Sequence, residues 1–394
     1  MRLLFLVLFL DLLSFAIIVP LLPFMALDLG AGPQEVTLLI ATFSAMQLFF
    51  APFWGRASDL WGRKPVLVIS VAGSVLALLL LAFADALWML FAARAVAGVL
   101  NGNITASQAY VADITSEENR ARGMGLIGAA FALGFVIGPG IGATLSGDPA
   151  NPDYLTPSLL AATLAGVATL VTALFLPESS APETRAAARR AGPSEGRLRL
   201  WIAALSFPNV ALITLTMFLV GYTFSNMEST FALWAEVRLD WGPRQVGYLF
   251  VYAGLVAAVF QGGLVGPLAR RFGEARLVAA AAVLLGFGMA LIPLSHGLPT
   301  LLAAMFCLAA GIGLGNPALQ SLISRLSGAA RSGGALGLGQ AANSTARVVG
   351  PATAGFAFER IGIGAPYVIG AAVMVAVFGL ALVLARRIAE RAAR

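Results

Sequence analysis

The sequence predicts an all-α polytopic membrane protein, with twelve transmembrane helices in two pseudo-symmetric six-helix halves. Hydrophobic residues make up 59% of the 394-residue chain and charged residues 11%, at a mean hydropathy of +0.88. That leaves too little polar surface to cover a soluble core. The apolar residues also come in runs. Val66–Ala84 and Ser158–Leu176 hold no charge over about the ~20 residues that a helix needs to cross the hydrocarbon. Finally, the second half repeats the first at a shift of about 211–213 residues, and internal duplication on that scale suits a membrane fold built around a central site.

Hydropathy, punctuated by Gly, Pro and charge, places the spans at 3–27, 36–54, 66–84, 87–112, 122–146, 156–176, 207–234, 243–266, 277–294, 299–323, 333–357 and 364–385. The first run is too long for the core of a signal peptide and lacks a cleavage site, so it reads as a retained span. Residues 1–176 form one half and 207–394 the other. Between them lies a linker, 177–206, whose Pro, Ser and charge content reads as solvated chain with room for a short surface helix near Thr184–Arg190.

Of the 25 Lys and Arg residues, 20 fall in the termini, the linker and alternate loops. Arg56, Arg63, Lys64, Arg270 and Arg271 are among them. This asymmetry places both termini in the cytoplasm of a cell (inner) membrane. It also accounts for the net charge of +6 without nucleic-acid binding. A single cysteine, Cys307, excludes an internal disulfide, and a single histidine, His296, excludes a His-rich metal site.

Buried polarity recurs every third span. Spans 3, 6, 9 and 12 have apolar cores, whereas Asp11, Arg94 and Glu228 sit in spans 1, 4 and 7, and Asn316, Gln320 and Ser324 in span 10. Arg94, Gly98, Asn101, Thr105 and Gln108 step along one face of a continuous span 4. Span 11 repeats the pattern in Gln340, Asn343, Ser344 and Arg347, and span 7 in Gly221, Ser225 and Glu228. Asn101, Gln108, Ser225, Asn316, Gln320, Asn343 and Arg347 are therefore candidate lining of a substrate cavity. An ionised carboxylate costs about 2.5–3.5 kcal/mol in the membrane interior. Asp11 and Glu228 are read either as carboxyls that exchange a proton or as static ion pairs, with Arg94 the expected partner of Asp11. Gly134, Gly138 and Gly142, spaced by four with Pro139 between them, predict close helix contact. Span 8 is the expected neighbour through Gly254 and Gly262.

Gly55–Leu67 (GRASDLWGRKPVL) lies between spans 2 and 3, and its repeat is Gly266–Val278 (GPLARRFGEARLV). Gly138-Pro139 repeats as Gly350-Pro351, Gly98 as Gly311, and Asn103 as Asn316. The first of these segments, together with Phe91–Gly102, Gly134–Gly142, Leu10-Asp11 with Val19–Pro23, and Tyr110–Arg122, resembles the major facilitator superfamily over the whole chain. Within it, the chain resembles the twelve-span drug:proton antiporters that include tetracycline efflux proteins. The resemblance implies a major facilitator fold and proton-coupled export of hydrophobic or cationic small molecules by alternating access. Asp11, Arg94 and Glu228 would serve proton coupling, Glu228 on burial alone. Asp59, Gly62, Arg63, Gly134, Gly138, Pro139 and Gly142 would serve gating, with the start of span 11 near Ser332 as the partner of Asp59. The expected partners are a small-molecule substrate, protons and lipid, with a proton gradient in place of any cofactor and a monomeric chain. A transporter of organic anions or lipids, contacting them through Arg94 and Arg347, is the alternative, and a membrane receptor or enzyme the third. In the second copy of the loop, Arg270 stands where the first has Asp59, and Glu274 where the first has Arg63.

Overall fold

A computed structural model describes residues 1–148, 151–190, 207–327 and 332–392, and all regular structure among them is helical. Span 1 is two helices, α1 (Arg2–Ile18) and α2 (Leu22–Asp28). Pro20 has no N–H to donate to α1, and Pro23 opens the next helix, where its fixed φ is tolerated. Spans 2 and 3 are α3 (Pro33–Trp61) and α4 (Arg63–Ala82), divided by Gly62 at φ +110°. Span 4 is interrupted, α5 (Leu87–Val99) giving way to α6 (Asn103–Ile114). Then follow α7 (Glu117–Leu145), α8 (Leu155–Phe175) and α9 (Pro182–Arg190). That last helix covers the expected surface helix; linker residues 191–206 lie outside the described set.

The second half holds α10 (Pro208–Leu239), then α11 (Pro243–Val259), which passes through a π-helical turn, Phe260–Leu264, into α12 (Val265–Phe272). After these come α13 (Glu274–Leu294), α14 (Leu298–Ser327), α15 (Ser332–Arg360) and α16 (Ala365–Ala392). Among the described residues, 11 helices are long and apolar enough to cross a membrane. The helix α15 has the length, but its first half is rich in Gly and polar residues and falls below that apolarity.

Two compact units divide the chain. One comprises 1–32, 42–193 and 240–251; the other comprises 33–41, 194–239 and 252–394. In the first unit α1 packs on α7 and α8, and α4 on α8 and α5. In the second, α10 packs on α15 and α16, and α13 on α16 and α14. The same pairings recur at equivalent positions, so the duplication read in the sequence is a duplication of packing.

The glycine face of α7, expected to pack on span 8, has a partner within its own unit. It lies on α1. A Cβ added at Gly138 would stand 2.5 Å from Ala16 Cβ and 2.9 Å from the Ala16 carbonyl carbon, and one at Gly134 would stand 3.1 Å from the Leu12 backbone. Gly142 faces the carbonyl oxygen of Ile17. Span 8 meets an adjacent side of α7, where Gly247 lies against Ala143 and the carbonyl of Pro139. Glycine removes the side chain from both contacts, and backbones can then approach as small-residue interfaces in membranes allow. In the second unit Gly350 stands against Ser225 Cβ (3.0 Å) and the Tyr222 carbonyl oxygen (3.1 Å) of α10, where Gly138 stands in the first.

Gly138→Leu is expected to force α7 off α1 at an overpacking cost of about 1–3 kcal/mol or more. The variant should insert but unfold at lower temperature in detergent and lose tight transport. Parental stability and fully coupled transport would count against the contact.

Candidate functional site

In the first unit the polar centre is built around Asp11, the middle of α1, with only 3% of its surface exposed. Its Oδ1 accepts a hydrogen bond from Ser74 Oγ of α4 at 2.9 Å, and its Oδ2 accepts one from Asn103 Nδ2 at the start of α6. The break in span 4 makes this possible. A helix interrupted in lipid must have its freed backbone groups met from elsewhere. Here Trp54 Nε1 donates to the Val99 carbonyl (2.5 Å), and the Gly102 N–H donates to Ser70 Oγ (3.0 Å). Gln47 Nε2 donates to Asn101 Oδ1 (2.6 Å). The Ile104 N–H donates to Asn103 Oδ1 (2.7 Å), which turns the amide nitrogen of Asn103 toward Asp11.

Two sequence-based expectations change here. The single polar stripe of span 4 does not run through a straight helix, because the axis is interrupted between Val99 and Asn103. Arg94 and Gly98 are buried before the break, whereas Thr105 and Gln108 beyond it are exposed. Nor does Arg94 pair with Asp11, whose two oxygens are taken by Ser74 and Asn103. The Arg94 guanidinium, 7% exposed as a residue, lies over the Phe43 ring of α3 at 4.5 Å and that of Phe15 of α1 at 5.4 Å. Desolvated cation–π contacts of this kind are worth about 2 kcal/mol. One turn on, Gly98 lets α5 close onto α3: a Cβ there would stand 2.5 Å from the carbonyl oxygen of Phe43.

The second unit holds an ion pair within its spans rather than a carboxyl between neutral donors. Arg347 Nη2 of α15 lies 3.8 Å from Glu228 Oε2 of α10, with side chains 34% and 16% exposed. Ser225 is buried beside Gly350, and Asn343 Oδ1 lies where a Cβ on Gly221 would stand. Asn316 and Gln320 of α14 are exposed.

At the α3–α4 turn, Arg63 gathers three partners: Asp59 Oδ1 at 2.5 Å, Asp113 Oδ2 of α6 at 3.0 Å and Ser58 Oγ at 3.1 Å. Asp59, its side chain 47% exposed, is therefore held by Arg63, and the side chain of Ser332 lies outside the described set. Glu178, just after α8, caps α4 by accepting from the N–H groups of Arg63 (2.8 Å) and Lys64 (3.2 Å). A carboxylate there satisfies orphan donors and meets the positive end of the helix. Ser179 Oγ joins it by donating to Asp113 at 3.1 Å. The second unit repeats the link between loop and helix with the charges exchanged: Glu274 Oε1 bonds Arg325 Nη1 of α14 at 2.5 Å and accepts from Ser321 Oγ at 3.2 Å. Gly62 and Gly273 precede both clusters at φ +110° and +83°.

The sequence profile of the Major Facilitator Superfamily matches residues 4–274 and 213–394. The chain belongs to that superfamily. It is a multi-pass membrane transporter, not an enzyme. The chain is 29% identical to the class H tetracycline resistance protein of Pasteurella multocida, the match covering 80% of this chain and 78% of that one. It is 30% identical to the mouse major facilitator superfamily domain-containing protein 10, with 89% and 85% covered. Among solved structures, the human organic anion transporter MFSD10 superposes with a TM-score of 0.73 at 27% identity, covering 96% of this chain and 98% of that one. The nucleoside transporter NupG gives a TM-score of 0.79 at 14% identity, covering 97% and 99%, and shares the fold.

Within this superfamily member, sequence reasoning passed over Asn103, Ser74 and Glu178 as site residues. A lone serine in an apolar run carries no signal. Asn103 was visible only as the repeat of Asn316, and Glu178 looked like linker.

Gly62→Ala is expected to cost about 1–3 kcal/mol, because the left-handed φ strains an L residue and its Cβ would meet the Glu178 carboxyl. Gly166→Ala in α8, where a Cβ meets open space, should be neutral or slightly stabilising. Thermal unfolding in detergent compares the two; equal melting temperatures would remove Glu178 from this turn.

Proposed function

We propose that the chain is a proton-coupled antiporter of an inner membrane, exporting hydrophobic or cationic small molecules by alternating access, with both termini cytoplasmic and the chain acting as a monomer. The observation that carries this reading is a carboxyl group buried inside a span between two neutral donors, Ser74 and Asn103. Without a fixed cationic partner, Asp11 can be neutral or charged at modest cost in either direction, which a proton carrier requires. Glu228, which already faces Arg347, is the rival carrier. The names of the tetracycline resistance proteins support export of organic compounds. We assign Asn101, Gln108, Ser225, Asn316, Gln320 and Asn343 to the substrate path. Asp59, Gly62 and Arg63 belong to the cytoplasmic gate, together with the α7 glycines and Pro139.

A second reading has its own support. The structural relative MFSD10 is named an organic anion transporter, and Arg347 is a partly exposed cation within a span. Such a guanidinium can bind a carboxylate in bidentate fashion.

Proteoliposomes with an imposed pH gradient separate the readings, using tetracycline, a lipophilic cation and an aromatic carboxylate as probes. Asp11→Asn keeps size and hydrogen bonding but cannot ionise. It should abolish uphill movement while sparing downhill exchange, and Glu228→Gln measured beside it should retain uphill movement. Accumulation by Asp11→Asn equal to the parent's, with the same pH dependence, removes Asp11 as carrier. Movement of the carboxylate alone, lost in Arg347→Gln, establishes the anion reading.

Asp59→Asn should slow transport severalfold yet leave equilibrium affinity for the transported probe within a few-fold. A large loss of affinity at normal turnover would place Asp59 at the binding site instead.

A further inference from the structure

Asn103 and Ser74 both donate to Asp11, yet they differ in what they can do once the carboxyl is protonated. The Oδ1 of Asn103 is occupied by the Ile104 N–H. Its amide therefore presents only N–H to Asp11, and turning it round would uncap the first turn of α6. An amide nitrogen donates and does not accept, so Asn103 favours the carboxylate over the acid. Ser74 is different. Its hydroxyl donates to Asp11 Oδ1 at 2.9 Å and also lies 3.4 Å from the carbonyl oxygen of Ser70, four residues back on α4. A hydroxyl has one hydrogen and two lone pairs and can exchange those roles by rotation.

Resting on the reading of Asp11 as the proton carrier, we propose that Asn103 and Ser74 are its positioning residues. Asn103 sets how readily the proton leaves, and Ser74 reverses its hydrogen bond so that both states of the acid stay satisfied. The arriving proton bonds to Asp11 Oδ1. The new O–H donates to Ser74 Oγ, and the hydrogen of Ser74 rotates from Asp11 to the Ser70 carbonyl, while Asp11 Oδ2 keeps its bond from Asn103. Release runs these steps backwards, with no other group gaining or losing a proton.

Among the described residues, no other titratable side chain is bonded to this carboxyl. The neighbouring α8 holds no ionisable residue, and those of α7 sit at 117–122 in its first turns. Arg63 and Lys64 open α4, with Arg63 bound to Asp59 and Asp113. On α6, Tyr110 donates to the Pro177 carbonyl and Asp113 serves Arg63. Arg94 of α5 lies over Phe15, four residues along α1 from Asp11.

The test is an infrared pH titration of the carboxyl C=O band of Asp11 in the full-length chain in detergent, the band being assigned by its loss in Asp11→Asn. Asn103→Ala should move the midpoint up by about one to two pH units, the worth of one hydrogen bond to a charged acceptor. Asn103→Asp, which keeps the cap on Ile104, should move it further because two carboxyls then share one site. Ser74→Ala removes a bond from both states and should shift the midpoint less, while its C=O band moves to the frequency of an acid without a hydrogen-bond acceptor. Ser74→Thr should restore the parental band. An unmoved midpoint in both Asn103 variants overturns the proposal, as does a Ser74→Ala band identical to the parent's, or an Asp11 that does not titrate over the stable pH range. The titration reports on Asp11 whether or not transport uses it. Normal proton-driven transport by Asp11→Asn would instead overturn the carrier reading and leave these shifts standing.

Discussion

A carboxyl group inside a membrane has no bulk water to fall back on, and what surrounds it decides whether it is a strut or a moving part. The environment of Asp11 is made of two neutral donors, and one of them, Asn103, is in place because span 4 is broken. Three side chains from α3 and α4, Gln47, Trp54 and Ser70, meet polar groups at or beside the break. The break in turn turns Asn103 toward α1. A straight helix through residues 99–103 would spend those backbone groups on itself. The hydrogen bonds that satisfy the break are thus what hold Asn103, and through it part of the polar centre of the first unit, in place.

The fold was legible in the sequence because the membrane imposes its demands on composition. Runs of about 20 apolar residues, glycines spaced by four and basic loops each answer one requirement. The interior of the site was less legible. Periodicity assumes an unbroken helix, so it joined Arg94 to Gln108 across a break signalled only by Asn101-Gly102. Charge complementarity suggested Arg94 for Asp11, but two aromatic faces hold the guanidinium and two uncharged side chains hold the acid. The glycine run of α7 announced a close contact without naming the partner. Spacing along one helix says which residues share a face and nothing about which helix covers it.

The duplicated loop shows why sequence identity and structural symmetry can part company. Arg63 bonds Asp113 in one unit and Glu274 bonds Arg325 in the other, so each loop glycine is followed by a residue tied to the next span, at α6 in the first unit and α14 in the second. Coulombic attraction is indifferent to which partner carries which sign. An exchange of both charges therefore preserves the tie, although position-by-position comparison of Arg63 with Glu274 reads as a loss. What the exchange does change is the surroundings. Asp59 adds an acid beside Arg63, while the equivalent position beside Glu274 is Arg270, so the charge four residues before the pair is inverted along with it. The Glu178 cap, with Asp113 receiving Ser179 from the same segment, then fastens the first loop to the chain that leaves α8. The tie common to both loops is the salt bridge to the neighbouring helix, and the tether to the segment after α8 is what the first loop adds to it.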